Sequence, residues 1–257
     1  AIDKQQNKSH SIFNIIIPRL PRISNHTDFD PLQLHPEVNV QFVKDPAESV
    51  AADLIILPGS KSVCSDMQWL RDNGWEEAIN KHLRYGGKII GICGGFQMLG
   101  DFISDPNGIE GNAGTLPGLG FLSMTTTITE SKKLARVAGS LWADNSRVEG
   151  YEIHAGISTG EALQNPAVRL EHGNDGAVSA DNNILGTYFH GLFDHEDACS
   201  SLLAWAGLEK PEGLDYRRRR ESDIDRLADA LEKHLDLSPI LEICSVNEKH
   251  RGRCNEK

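Results

Sequence analysis

The chain has 257 residues, 39% of them hydrophobic and 25% charged, with 24 glycines and a net formal charge of −11. That length supports one or two domains with a substantial core, and the balanced composition excludes a disordered or collagen-like chain. No apolar run approaches the ~18 residues of a transmembrane helix. The excess of 37 acidic over 26 basic residues excludes a broad basic field for gripping phosphate backbones, so neither a membrane nor a nucleic acid is expected as partner.

Residues 1–11 are a polar leader with no apolar stretch of signal-peptide type. Ala1 in place of Met suggests a processed chain or a fragment. Phe13-Asn-Ile-Ile-Ile-Pro18 is a short apolar run stopped by proline and predicts a buried strand. Val38–Val43 alternates apolar and polar residues, as a half-buried strand does. Asp53-Leu-Ile-Ile-Leu-Pro-Gly59 is a further apolar run closed by turn chemistry. Met67–Tyr85 has helical spacing with an interruption at Asn73-Gly74, and Lys88-Ile-Ile-Gly-Ile-Cys93 leads directly into a helix beginning near Phe96. Strands alternating with helices at this pitch predict an α/β fold, a mostly parallel central sheet with helices on both faces.

The second half is different. Phe121–Thr129, Val148–Ile153 and Ile184–Phe189 read as further strands separated by turn clusters. Asp223–Leu235 reads as a helix with Ile224, Leu227, Leu231 and Leu235 along one face. Arg217–Arg220, followed by Glu221, Asp223 and Asp225, is a solvated helix start. The domain expected from these features spans 12–237, with a loose tail over 238–257.

Five cysteines, Cys64, Cys93, Cys199, Cys244 and Cys254, have irregular spacing and no C-x-x-C. This fits free thiols in a reducing, cytoplasmic setting. One of them stands apart. Gly91-Ile92-Cys93-Gly94-Gly95 lies where an apolar strand meets a helix, the setting of a nucleophile elbow with sulfur replacing oxygen. The glycines allow strained backbone and close packing there. A helix N-terminus next to the sulfur favours thiolate, and the Gly94 N–H becomes available to an oxyanion. The competing reading is a buried structural cysteine.

A thiol nucleophile needs a base. His154 in Gly150-Tyr-Glu-Ile-His154 and His190 in Thr187-Tyr-Phe-His190-Gly191 both sit beside strand-like runs, and the flanks of His190 are the more strand-like. Pro58-Gly59-Ser60-Lys61 follows an apolar strand and could supply a second oxyanion donor. No metal-ligand spacing, P-loop or dinucleotide fingerprint is present, so no metal or cofactor site is expected in this chain.

Gly91-Ile-Cys-Gly-Gly-Phe-Gln-Met-Leu-Gly100 resembles the nucleophile segment of class I (triad-type) glutamine amidotransferases. Six further segments resemble, in order, the C-terminal glutaminase domain of the cobyric acid synthase family: Arg19–Asn25, Thr27-Asp-Phe-Asp-Pro31, Leu57–Lys61, Trp69-Leu-Arg71, Gly150–His154 and Gly186–Asp194. The resemblance implies that Cys93 attacks the side-chain amide of glutamine and forms a thioester, with His190 as base and acid. It also implies that Gly59 and Gly94 form the oxyanion hole and that Gln97 helps hold the substrate. Ammonia would pass to a synthetase domain or a separate synthetase chain. That partner would use ATP and Mg²⁺ to amidate the b, d, e and g carboxylates of adenosylcobyrinic acid a,c-diamide in cobalamin biosynthesis. The wider class carries His-x-Glu, whereas Leu192 stands two residues after His190 here. This implies a Cys-His dyad with Glu152 or Asp194 as candidate orienting groups. The synthetase domain is not in this sequence. The alternatives are a stand-alone glutaminase subunit serving another acceptor (a peptidoglycan precursor), an inactive amidotransferase-fold binding module, and a cysteine hydrolase on a related fold.

Overall fold

A computed structural model describes residues 12–236, 238 and 239. The expected leader at 1–11, the domain limit at Leu237, and Cys244 and Cys254 of the expected tail lie outside the described residues.

In chain order the first half consists of β1 (Phe13–Pro18), β2 (Ile23–Ser24), a 3-10 turn (His26–Phe29), α1 (Asp30–Gln33), β3 (Val38–Val43), β4 (Leu54–Leu57), β5 (Gly59–Ser60), α2 (Val63–Asp72), α3 (Trp75–Arg84), β6 (Lys88–Ile92) and α4 (Gly94–Met98). Short strands dominate the second half: β7 (Gly100–Asp105), β8 (Gly114–Pro117), β9 (Leu122–Thr127), β10 (Lys133–Leu141), β11 (Arg147–His154), β12 (Ile157–Thr159), β13 (Val168–Leu170), β14 (Gly173–Asp175), β15 (Ala177–Val178), β16 (Ile184–Thr187) and β17 (Phe189–His190). Helices α5 (Glu196–Ala206) and α6 (Tyr216–His234) follow.

The apolar runs become the central sheet, with strand order β15-β16-β6-β4-β1-β3. Five strands are parallel and the β15 edge is antiparallel. All four residues of both β4 and β16 are buried, as in strands covered on two sides. The edge strand β3 is only part-buried, matching its alternating sequence. Strands on either side of β1 are added in opposite directions along the chain, so the carboxyl ends of β1 and β4 flank a topological switch point, where α/β sheets place their ligands. The helical stretch breaks at Gly74, whose φ of 78° stops α2 and starts α3. Trp75 is buried behind that break and its Nε1 donates to the Lys44 carbonyl at 2.9 Å.

The turn-rich second half builds two further sheets. A five-stranded antiparallel sheet runs β14-β13-β10-β11-β17, and a four-stranded sheet runs β12-β9-β7-β8. A single residue, Tyr188, separates β16 of the central sheet from β17 of the antiparallel sheet. A buried carboxylate braces this seam: Asp175 accepts from the Thr187 hydroxyl and from the Tyr188 N–H.

The residues from Asp215 on form a separate unit. Within it, Asp215 caps α6 by accepting from the Arg218 N–H at 2.9 Å. Arg217–Arg220 are exposed at the helix start, as expected. The stripe is helical as far as Leu231 but unburied, with Ile224, Leu227 and Leu231 exposed, and the equally exposed Leu235 lies just past the helix in extended backbone.

Burial raises the Asp175 pKa from 3.8 to about 6, against the opposing hydrogen bonds from Thr187 and Tyr188. The folded state therefore holds this proton more tightly than the unfolded one, so the contribution is present at low pH and lost as pH rises through about 6. Thermal melts of the parent and Asp175→Asn, whose neutral amide resembles the protonated acid, should lie closest below about pH 4, and the parent should lose stability relative to the variant as pH rises from about 4 to about 6. A difference that does not vary with pH would remove Asp175 from the account of the seam.

Candidate active site

The cleft lies beyond the carboxyl ends of β1, β4, β6 and β16. It has a volume of about 300 Å³ and is walled by Ser24, Asn25, Ser60, Cys93, Gln97 and His190, with Lys61, Glu110, Lys132 and His154 also lining it. That volume is at the small end of the range for small-molecule sites.

Cys93 stands at the tip of β6 with φ 52° and ψ −105°, a left-handed backbone that few non-glycine residues adopt. Its own N–H donates to the Thr187 carbonyl at 2.8 Å, which ties it to the end of β16. Its thiol donates to the Ile153 carbonyl at 3.5 Å. The glycines around it permit close approach. A Cβ on Gly94 would sit 2.7 Å from Ser60 N, and one on Gly95 would run into the Leu57 carbonyl. The following helix, α4, has five residues, so its macrodipole is small. What the turn offers an anion is free amide groups rather than a long dipole.

Of the two candidate oxyanion segments, Gly59–Ser60 pairs antiparallel with Ile23–Ser24. Lys61 N–H donates to the Arg22 carbonyl at 2.9 Å. Hydrogen-bonded and open pairs alternate in such ladders, so Ser24–Gly59 falls in the next bonded pair and the Ser60 amide faces away from β2. The Ser60 side chain is fixed by Asp66, a fully buried carboxylate that accepts from the Ser60 hydroxyl at 2.6 Å and from the Arg22 N–H at 3.2 Å. Ser60 N thus stands against Gly94, beside the predicted donor Gly59.

His190 lies at the end of β17 and is 1% exposed. Its Nδ1 is 2.7 Å from Asp28 Oδ2, and Asp28 Oδ1 accepts from the Gly191 N–H at 3.2 Å. With Nδ1 facing this carboxylate, Nε2 carries no hydrogen bond among the described residues. Burial alone would lower the His190 pKa, but the hydrogen bond and negative charge of Asp28, with the Cys93 sulfur nearby, reverse this and raise it to about 9.

The carboxylate set against Nδ1 of His190 is therefore Asp28, where motif proximity had pointed to Glu152 or Asp194. Glu152 sits one residue along β11 from the strand position facing His190 and is ion-paired with Lys133. The carboxylate of Asp194 lies near the position that a Cβ on Gly191 would take. Asp28 belongs to the Thr27-Asp-Phe-Asp-Pro31 segment, on a 3-10 turn beyond β1. The signal for it was available, an acidic residue in the loop after the first strand of an α/β sheet, where such loops converge on the site.

Gln97 is buried on α4 and its Nε2 donates to the Tyr188 hydroxyl at 3.2 Å. His154, the other eligible histidine, also reaches the cleft but is engaged differently. Its ring stacks on Tyr188 with centroids 3.8 Å apart, and its Nδ1 lies 3.1 Å from the Gly156 carbonyl. Burial lowers its pKa, so it is held as a neutral imidazole. Among the described residues no group of three or more His, Cys, Asp or Glu is arranged to hold a metal ion, and no helix is long and apolar enough to cross a membrane.

An α/β sheet with a cysteine in a strained strand-to-helix turn, and a histidine–carboxylate pair at the same sheet edge, defines the architecture of a glutamine amidotransferase. The chain belongs to the CobB/CobQ-like glutamine amidotransferase domain family, whose model matches residues 14–198. Its fold is similar to that of PurLQS from Thermotoga maritima, at 16% identity and a TM-score of 0.54, over 75% of this chain and 98% of that one. A crystal structure of another glutamine amidotransferase matches with the same identity, coverage and TM-score.

Asp28→Asn leaves the fold intact but removes the negative charge that holds the Nδ1 proton, so glutamine turnover should fall by about 10²- to 10⁴-fold. Asp194→Asn should cost far less in the same assay. Equal losses in the two variants would return the orienting role to an open question.

Proposed function

We propose that this domain hydrolyses glutamine through Cys93, His190 and Asp28. The observation that carries this reading is the shared cleft of Cys93 and His190, with Nδ1 of the histidine occupied by Asp28 and Nε2 left for the thiol. In the reaction, Nε2 holds the proton taken from the thiol, and the Cys93 thiolate attacks the amide carbon of the substrate side chain. The carbonyl oxygen becomes an oxyanion, met by the N–H groups of Gly94 and of the Gly59–Ser60 turn. His190 then gives its proton to the departing nitrogen. Ammonia leaves and a γ-glutamyl thioester remains on Cys93. Water, deprotonated by His190, attacks the thioester and releases glutamate. Gln97 helps orient the glutamine. Asp28 keeps His190 in the Nδ1–H tautomer and stabilises the imidazolium formed during transfer. The machinery is thus a triad assembled from distant segments in place of a dyad.

Within the family, the acceptor we infer is the cobyric acid synthase substrate. The segments at Arg19–Pro31 and Trp69–Arg71 support this choice over a peptidoglycan-precursor glutaminase. In this reading the ammonia serves a synthetase that binds ATP and Mg²⁺ and amidates the side-chain carboxylates of adenosylcobyrinic acid a,c-diamide. The inactive-module alternative gains nothing from a cleft that retains thiol, imidazole and carboxylate together.

Treatment with 6-diazo-5-oxo-norleucine followed by peptide mapping should give one adduct, on Cys93, prevented by excess glutamine. Cys93→Ala and His190→Ala should each abolish glutamine hydrolysis, and turnover by Cys93→Ala would sink the mechanism. Gly94→Ala places a methyl group against Ser60 N and should lower kcat by about 10²-fold, the size of losing one oxyanion donor. Addition of the synthetase and adenosylcobyrinic acid a,c-diamide should yield glutamine-dependent amidation, and failure with an active synthetase would overturn the choice of acceptor.

A further inference from the structure

His190 is held on more sides than by Asp28 alone. The Asn25 side-chain amide lies 2.9 Å from the same Nδ1. The ring of Tyr151 stacks on the imidazole, with centroids 5.1 Å apart and planes 20° apart. The same Asn25 amide donates to the Tyr151 hydroxyl at 3.2 Å. The stack follows from register, because β11 and β17 set Tyr151 directly opposite His190. Gly150 allows the strands to close, since a side chain there would meet the His190 carbonyl oxygen. Asn25 has φ 55° and ψ 49°, a left-handed conformation that asparagine tolerates better than most residues.

We propose that Tyr151 is a positioning residue for the catalytic histidine, its face holding the imidazole in plane and favouring its cationic form, while Asn25 anchors the Tyr151 hydroxyl. This rests on the Cys93–His190 reading above. The aromatic face carries negative charge density and attracts a cation laid over it. A histidine whose proton is held more firmly keeps a thiolate partner to lower pH. The titratable and charged groups that face His190 are Asp28 from the 3-10 turn, Cys93 at the start of α4, and Tyr151 and His154 on β11. Asp194 follows in the next loop, and Lys61, Glu110 and Lys132 line the cleft. Replacing Tyr151 by an uncharged residue alters none of these charges, which isolates the effect of the ring.

The test is the pH profile of Cys93 alkylation by iodoacetamide on the full chain, resolved by peptide mapping, together with kcat and KM for glutamine. Tyr151→Leu and Tyr151→Met should shift the acid limb upward by about one pH unit, slow alkylation near about pH 6 by about tenfold, and lower kcat with little change in KM. Tyr151→Phe, which keeps the ring, should restore the parent limb. Thermal melts identify variants that do not fold, and the leucine and methionine replacements back each other on this point. Profiles of the ring-less variants that coincide with the parent, or a phenylalanine variant as impaired as leucine, would overturn the proposal. His190→Gln distinguishes the other failure. If the acid limb survives that change, the Cys93–His190 reading itself falls and this inference falls with it.

Discussion

One backbone hydrogen bond holds the site together, from the N–H of Cys93 to the carbonyl of Thr187. It continues the parallel pairing of β6 with β16 by one step, beyond Ile92 and Thr187. Cys93 is thereby fixed to the strand that, three residues later, delivers His190. Every other element of the cleft works within that distance. The strained Cys93 backbone turns the sulfur away from the sheet, and the Tyr188 step turns the chain so that His190 joins a different sheet and faces back. A looser junction at either point would leave both side chains present and their spacing undefined.

The carboxylates divide the supporting work. Asp28 holds the imidazole and the following amide of Gly191. Asp66 holds the Gly59–Ser60 turn against β2. Asp175 holds the Thr187–Tyr188 seam. Each is buried and accepts from more than one donor, which offsets part of the cost of burying a carboxylate. The glycines do complementary work. Gly94, Gly95 and Gly150 are places where backbone or side-chain atoms of a neighbouring element occupy the position of a missing Cβ.

The parallel sheet was legible because its strands are uninterrupted apolar runs ended by proline or glycine, and the helix break was legible at Asn73-Gly74. Cys93 was legible because glycines flank it at a strand-to-helix junction. His190 was preferred over His154 on flanking residues alone, and both line the cleft, distinguished by what their ring nitrogens meet. Asp28 was not read as part of the site, because nearness along the chain drew attention to Glu152 and Asp194 while the true partner stands 162 positions away. The separate antiparallel sheet was also hidden, since β13, β14 and β17 have two or three residues each and carry too few side chains to show a period. On α6, helical spacing identified the helix, whose apolar residues Ile224, Leu227 and Leu231 are exposed.

Asp28, Cys93 and His190 come from three distant stretches of the chain, and the last of them arrives only after the second sheet has received β17. Contacts of such long sequence separation are costly to close and form late in folding. A chain emerging during synthesis would possess Asp28 and Cys93 well before it possessed His190. The cleft is thus complete only when the whole fold is, with His190 the last of the three residues to be synthesised.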